Sequence, residues 1–153
     1  MHSDITYKIF HGPSDNDLKE ALTAVGKYID LYWQETKWQG APACKINIEW
    51  IVEWWRNNGL HIAVVYDKTE PVGFLLVSVV QGMLHGETEA HTIAIYLDSK
   101  YRDKNIAGRL GLFMRKHLID NTTVDVVFYD RLVSLSPYEI VSTIVFNRHS
   151  DRG

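Results

Sequence analysis

The segment Ile93–Leu118, IAIYLDSKYRDKNIAGRLGLFMRKHL, joins a β-patterned stretch, a polar turn and a helix whose first turn holds small residues. A helix start presents backbone N–H groups without intrahelical acceptors and the positive end of the helix dipole. Small residues such as Ala107 and Gly108 let a phosphate approach that backbone, and Arg102, Lys104 and Arg109 add positive charge around the same turn. The combination reads as a pyrophosphate cradle; the plainer alternative is a capped helix start with a solvated charged turn. It is neither a P-loop nor a GxGxxG dinucleotide turn. Just upstream, Glu87, Glu89 and His91 alternate, which places them on one strand face with Ile93, Ile95 and Leu97. Such groups could take up a proton, or could be a polar strand end facing solvent. His85 shares their period, but Gly86 breaks a continuous ligand face, so no metal site is expected. The fragment His85-Gly86-Glu87 also lacks the Pro-Cys-x-x-Cys partner of a zinc nucleobase deaminase.

The elements that must position these groups are legible as patterns. Ile5–Phe10 alternates and predicts a strand, broken by His11-Gly12-Pro13. Ser14 with Asp17 resembles a capping box, and Leu18, Leu22, Val25, Ile29 and Tyr32 predict one amphipathic helix over residues 15–35. A Gly40/Pro42 loop follows, then a second helix marked by Ile48, Ile51, Val52 and Trp55, with Gly59 as its stop. Leu60–Tyr66 and Val72–Gln81 predict a hairpin joined by DKTEP, and Glu87–Leu97 a third strand. A helix carrying Ile106, Leu110, Phe113 and His117 follows, then a strand at Val124–Tyr129. Arg131–Tyr138 could form a short helix interrupted by Pro137, and Ile140–Phe146 reads as extended. The order is β-α-α-β-β-β-α-β-(α)-β. The strands are too uniformly apolar to face water, so helices should cover both faces of a mixed α/β sheet.

Length and composition bound the rest. The 153 residues suit a single domain over 1–153, with a core large enough to need no disulfide or metal. Cys44 is the only cysteine, which excludes a disulfide framework and zinc sites with two thiolates. The net charge of −3 argues against tight binding to a nucleic-acid backbone. Neither the N-terminus nor the apolar run Val72–Val80 has the length of a signal or membrane-spanning segment, so the expectation is a soluble, cytoplasmic protein.

The loop Arg102-Asp103-Lys104-Asn105-Ile106-Ala107, with Gly108-Arg109 after it, resembles the Arg/Gln-x-x-Gly-x-Gly/Ala signature of the GCN5-related N-acetyltransferase (GNAT) family. Leu97-Asp98-Ser99-Lys100-Tyr101 is similar to that family's Val-x-Pro-x-Tyr lead-in. Asn105 stands where the first glycine is usual, a mild change because Asn tolerates a left-handed backbone. The order of elements matches the family as well. The resemblance implies an N-acetyltransferase that uses acetyl-CoA as acyl donor and acetylates an amine, in a small molecule or a protein, by direct attack in a ternary complex. It implies pyrophosphate contacts at 102–109 and a thioester held by backbone N–H groups at Ile95 and Leu97. It implies a base at Glu89 or His91, an acid at Tyr138, and an acceptor pocket shaped by Tyr32, Trp33, Glu35 and Trp38. It also admits a homodimer. The family's C-terminal Asn-x-x-Ala-x-x-x-Tyr-x-x-x-Gly-Phe pattern is absent, Ser142-Thr143 standing in the Gly-Phe place. That departure leaves open a catalytically inactive binding or inhibitory module on the same fold.

Overall fold

The computed structural model describes residues 4–102, 105–135 and 138–150. Six strands form one sheet in chain order: β1 (Ile5–His11), β2 (Leu60–Asp67), β3 (Glu70–Gln81), β4 (Thr88–Leu97), β5 (Val126–Leu135) and β6 (Tyr138–Asn147). Every neighbouring pair is antiparallel except β4 and β5, which are parallel. Helices α1 (Asp15–Gly26), α2 (Ile29–Thr36) and α3 (Ile48–Arg56) precede β2, and α4 (Ile106–Asn121) links β4 to β5. This is the mixed α/β architecture that the apolar strands require, with buried clusters on both faces of the sheet. One gathers Phe10, Leu18, Trp55 and Phe74 with α1 and α3; the other gathers Val65, Leu75, Leu110 and Leu118 with α4.

The single helix expected over 15–35 is two. Ser14 caps α1 through Asp17 N as its spacing suggests. At Gly26, a weak helix former, the helix ends. Tyr28 then leaves helical geometry (φ −123°), goes into the core, and donates its hydroxyl to Pro71 O at 3.1 Å. Burying that ring outweighs another turn of regular helix. The following α2 buries none of its residues fully. α3 is capped by the Asn47 side chain on Trp50 N and is anchored by Trp55, which is wholly buried and donates Nε1–H to Ser14 O.

The short helix considered for Arg131–Tyr138 is not formed by the described residues. β5 continues to Leu135, and β6 begins at Tyr138, paired opposite Leu135. The β-branched run Ile140–Val145 supports an antiparallel ladder here, and no Gly-Phe pair stands at 142–143. No helix of the described residues is long and apolar enough to cross a membrane.

Candidate active site

A β-bulge in β4 decides how the predicted residues are distributed. Leu76 pairs with Ala94 and Val77 with Thr92, so Ile93 is the extra residue. A bulge re-phases the alternation of side chains along a strand. Glu89 and His91 therefore do not share a face with Ile95 and Leu97, contrary to the plain period-two expectation. Ile95 and Leu97 face α4, while His91 and Glu89 stand on the side of α1–α3, with Ala94 and Tyr96 beyond the bulge. Beyond His91 the sheet also opens. β4 and β5 pair only over Glu89–His91 and Val126–Phe128. From there β5 bends away with β6, leaving a gap between two parallel strands.

A cavity of about 270 Å³ fills that gap on the α4 side. Ile95 and Thr92 line one wall, Phe128 and Tyr129 the other, and Ala107, Gly108 and Gly111 of α4 form the floor. A Cβ on Gly111 would meet nothing within 4 Å, so the missing side chain leaves open space facing the cleft. Asn105 takes the left-handed conformation (φ 58°, ψ 21°) and supplies no side-chain cap. The N–H groups of the first turn, Ile106 to Gly108, thus have no intrahelical acceptor, and the bonding of α4 begins with Arg109 N donating to Asn105 O. A negatively charged group fits this donor set, at the positive end of a sixteen-residue helix. Ile106 itself is buried, so only its backbone can serve.

Of the cations expected around the turn, Arg102 and Arg109 do not line the cleft. Arg102 donates Nε–H to Leu97 O at 2.8 Å, lies over the Tyr96 ring and forms a bidentate pair with Glu35 at 3.0 Å to each oxygen. Neither Arg102 nor Glu35 lines the cleft. Arg109 lies near the buried Tyr7 hydroxyl of β1, which has no hydrogen-bond partner among the described residues and whose pKa burial raises. Among the described residues, the cation beside the cleft is Arg115, two turns further along α4, which also donates to Val145 O. Asp103 and Lys104 lie outside the described residues.

On the other face, three side chains, Glu89, Phe128 and Asp130, converge on the imidazole of His91. His91 Nδ1 is 2.9 Å from Asp130 Oδ2, and its Nε2 is 3.2 Å from Glu89 Oε1. The second oxygen of Glu89 is 3.3 Å from His85 Nε2, and Asp130 accepts from the Ser142 hydroxyl. The imidazole stacks on Phe128 with centroids 4.5 Å apart and planes 5° from parallel. Asp130, Ser142 and Phe128 were not found from the sequence. They stand 37 or more positions from His91; the parallel β4–β5 pairing brings in Phe128 and Asp130, and the β5–β6 ladder sets Ser142 opposite Asp130. No group of three His, Cys, Asp or Glu among the described residues is arranged to hold a metal ion.

Tyr32 donates its hydroxyl to Ile93 O, at the bulge, at 3.2 Å. Burial pushes its pKa above the ordinary phenol value, and Tyr138 adds to the rise. Trp33 meets Trp38 edge-on at 5.3 Å, and Trp38 meets Tyr138 edge-on at 6.0 Å. Tyr32, Trp33, Trp38 and Tyr138 thus belong to one aromatic wall between α2 and the start of β6, with Tyr138 on a strand rather than the helix it was expected to occupy.

The family model for the acetyltransferase (GNAT) family matches residues 27–128. Among solved structures, an aminoglycoside acetyltransferase from an uncultured soil metagenomic sample, in complex with sisomicin, has TM-score 0.63 at 12% identity, covering 84% of this chain and 78% of that one. Ribosomal-protein-S5-alanine acetyltransferase from Vibrio fischeri has TM-score 0.60 at 16% identity, covering 85% and 72%. The NatC complex bound to Gag peptide and CoA has TM-score 0.58 at 19% identity, covering 88% and 78%. At these identities the likeness concerns the fold alone. No curated protein sequence matches the chain.

Proposed function

Because the chain belongs to the GNAT acetyltransferase family, we propose that it transfers an acetyl group from acetyl-CoA to an amine in a ternary complex. The observation that carries this reading is the gap between β4 and β5, with a ready-made anion site at its foot and proton-handling groups on its far side. The pyrophosphate would lie against the backbone N–H groups of 105–108, with Arg115 alongside. The Arg102–Glu35 pair is half-exposed on both sides, so its net worth is roughly 0–1 kcal/mol, and a phosphate could take the guanidinium from Glu35. The pantetheine arm would follow β4 past Ile95, where the strand has no β5 neighbour, with Leu97 at the phosphate end. A backbone N–H near the bulge would donate to the thioester oxygen as it gains charge.

The acceptor would enter from the α1–α3 face along the wall of Tyr32, Trp33, Trp38 and Tyr138. An amine arrives largely as an ammonium, and Glu89, fixed between His85 and His91, would take its proton. The amine nitrogen then bonds to the thioester carbon, the C–S bond breaks, and the thiolate needs a proton. Tyr32, anchored at the bulge and kept protonated by burial, would donate it, with Tyr138 opposite as the other hydroxyl within the wall. The direct test is release of free thiol from acetyl-CoA that depends on an added amine. Glu89→Gln should lower the turnover by about 10²–10⁴-fold at unchanged stability. An unchanged rate would remove Glu89 from the mechanism.

One observation favours a second reading. β5 passes to β6 without the intervening helix that the family places there, so a module that holds CoA without turnover would also fit. Binding of acetyl-CoA with no thiol release across a broad amine panel would select it.

A further inference from the structure

His91 has a carboxylate at each ring nitrogen. A neutral imidazole carries one N–H and one bare nitrogen, so it donates to one of the two and turns a lone pair on the other. Nδ1 lies 2.9 Å from Asp130 Oδ2, the reach of a charge-assisted bond, whereas Nε2 lies 3.2 Å from Glu89 Oε1. The shorter contact holds the proton. The ring then donates from Nδ1 and leaves Nε2 bare toward Glu89. A proton placed between Nε2 and Oε1 turns that one unfavourable contact into a bond between an imidazolium and a carboxylate.

The neighbours fix both ends of this chain. His85 Nδ1 accepts from Glu87 N at 3.1 Å, so its own proton is on Nε2, which stands 3.3 Å from Glu89 Oε2. Asp130 takes the Ser142 hydroxyl on Oδ1, and the β5–β6 ladder sets the two residues directly opposite each other. Asp130 and Glu89 are only 14% and 16% exposed, so each depends on these donors to keep its charge. Phe128 covers one face of the imidazole and also lines the cleft, which sets His91 directly behind the cleft wall.

We propose that Asp130 is a positioning residue: it keeps the His91 proton on Nδ1, so that Nε2 receives the proton that Glu89 takes from the amine. The inference rests on the transfer reaction proposed above. An N–H bond of the ammonium breaks, Glu89 passes the proton on and is again a carboxylate, and an Nε2–H bond forms. The positive charge that leaves the amine appears on His91, between two carboxylates and over the Phe128 ring. The ring is 30% exposed and returns the proton to water once the product has left. Without Asp130 the ring can turn its N–H toward Glu89, and the seat for the proton is lost. A buried carboxylate that sets the tautomer of a histidine base divides the work in the same way.

Ring 15N correlation spectra of the free protein test the tautomer, with the His91 signals identified by their loss in His91→Gln. The neutral ring should carry its proton on Nδ1 in the wild type and on Nε2 in Asp130→Asn. A wild-type neutral ring protonated on Nε2 overturns the proposal whether or not the variant folds, and so does a tautomer that Asp130→Asn leaves unchanged. Turnover is read as thiol release from acetyl-CoA, with the fastest acceptor among aminoglycosides, polyamines and peptides with a free N-terminus. Asp130→Asn should lower kcat at least tenfold, with KM for both substrates little changed. An unchanged kcat overturns the positioning role alone. A wild type that releases no thiol with any of these amines overturns the transfer reaction, and this role with it.

Discussion

His91 is bracketed by two carboxylates, Glu89 on its own strand and Asp130 across the parallel pairing. The arrangement fixes the ring, and the second oxygens of the two carboxylates meet His85 and the Ser142 hydroxyl. Glu89 and His91 were legible from the sequence because strand alternation spaces them two apart. Asp130 was not, because a contact across 39 positions has no local signature. The two tyrosines separate by the same logic. Tyr138 was picked out through the family resemblance, by its place after the strand that follows α4, whereas Tyr32 is the one whose hydroxyl reaches the bulge. Tyr32→Phe should therefore lower turnover by at least tenfold more than Tyr138→Phe, with KM for acetyl-CoA little changed in both. Equal effects would place the donor elsewhere on the wall.

At the scale of elements, α4 carries both the floor of the cleft and a buried histidine cluster. Gly111 faces open space, so Gly111→Leu should fill the cavity and weaken acetyl-CoA binding by at least tenfold. Stability should hold or rise by up to about 1 kcal/mol, since glycine is the poorer helix former. A melting temperature unchanged together with an unchanged affinity would show that the acyl donor does not use this cleft. At the other end of the sheet, His61 Nδ1 lies 3.0 Å from His117 Nε2, joining the start of β2 to α4, with His11 of β1 beside both. Burial, and then the neighbouring His117 and His11, lower the His61 pKa from 6.5 to about 4. The unfolded chain therefore binds a proton between about pH 6.5 and 4 that the folded chain refuses. Stability is full above that window and falls through it with acid, by on the order of 2–3 kcal/mol. Chemical denaturation across pH 4–7 checks this: His61→Gln should flatten the slope, and an unaltered slope would assign the loss to other groups. The sequence marked α4 and its stripe well, because a long periodic helix is its own signal. It misjudged 15–35, where burial of Tyr28 overrides the period, and 131–138, where pairing with β6 overrides a weak local preference.

Across the whole molecule, the sheet does two jobs. Its antiparallel part, β1–β4, is a closed packing problem solved by helices on both faces, and its apolar strands announced that from composition alone. The parallel junction of β4 with β5 is where the packing opens, and the same opening supplies the cleft. That opening was not read from the sequence, since no residue pattern says that two strands part after three pairs. The bulge at Ile93 was hidden for the same reason, although it puts Glu89 and His91 on the face opposite Ile95 and Leu97. The balance of charge also reads differently in three dimensions. Arg102 is paired with Glu35, and of the described cations it is Arg115 that lines the cleft, which is why the proposed anion site rests on the backbone of the α4 start and Arg115. The measurement that tests this account most directly is calorimetric titration of the intact protein with acetyl-CoA, beside the Gly111→Leu variant. The account predicts one site per chain with micromolar affinity, lost at least tenfold in the variant. No heat of binding at ligand concentrations up to about 1 mM, where even a −4 kcal/mol interaction would register, would contradict it.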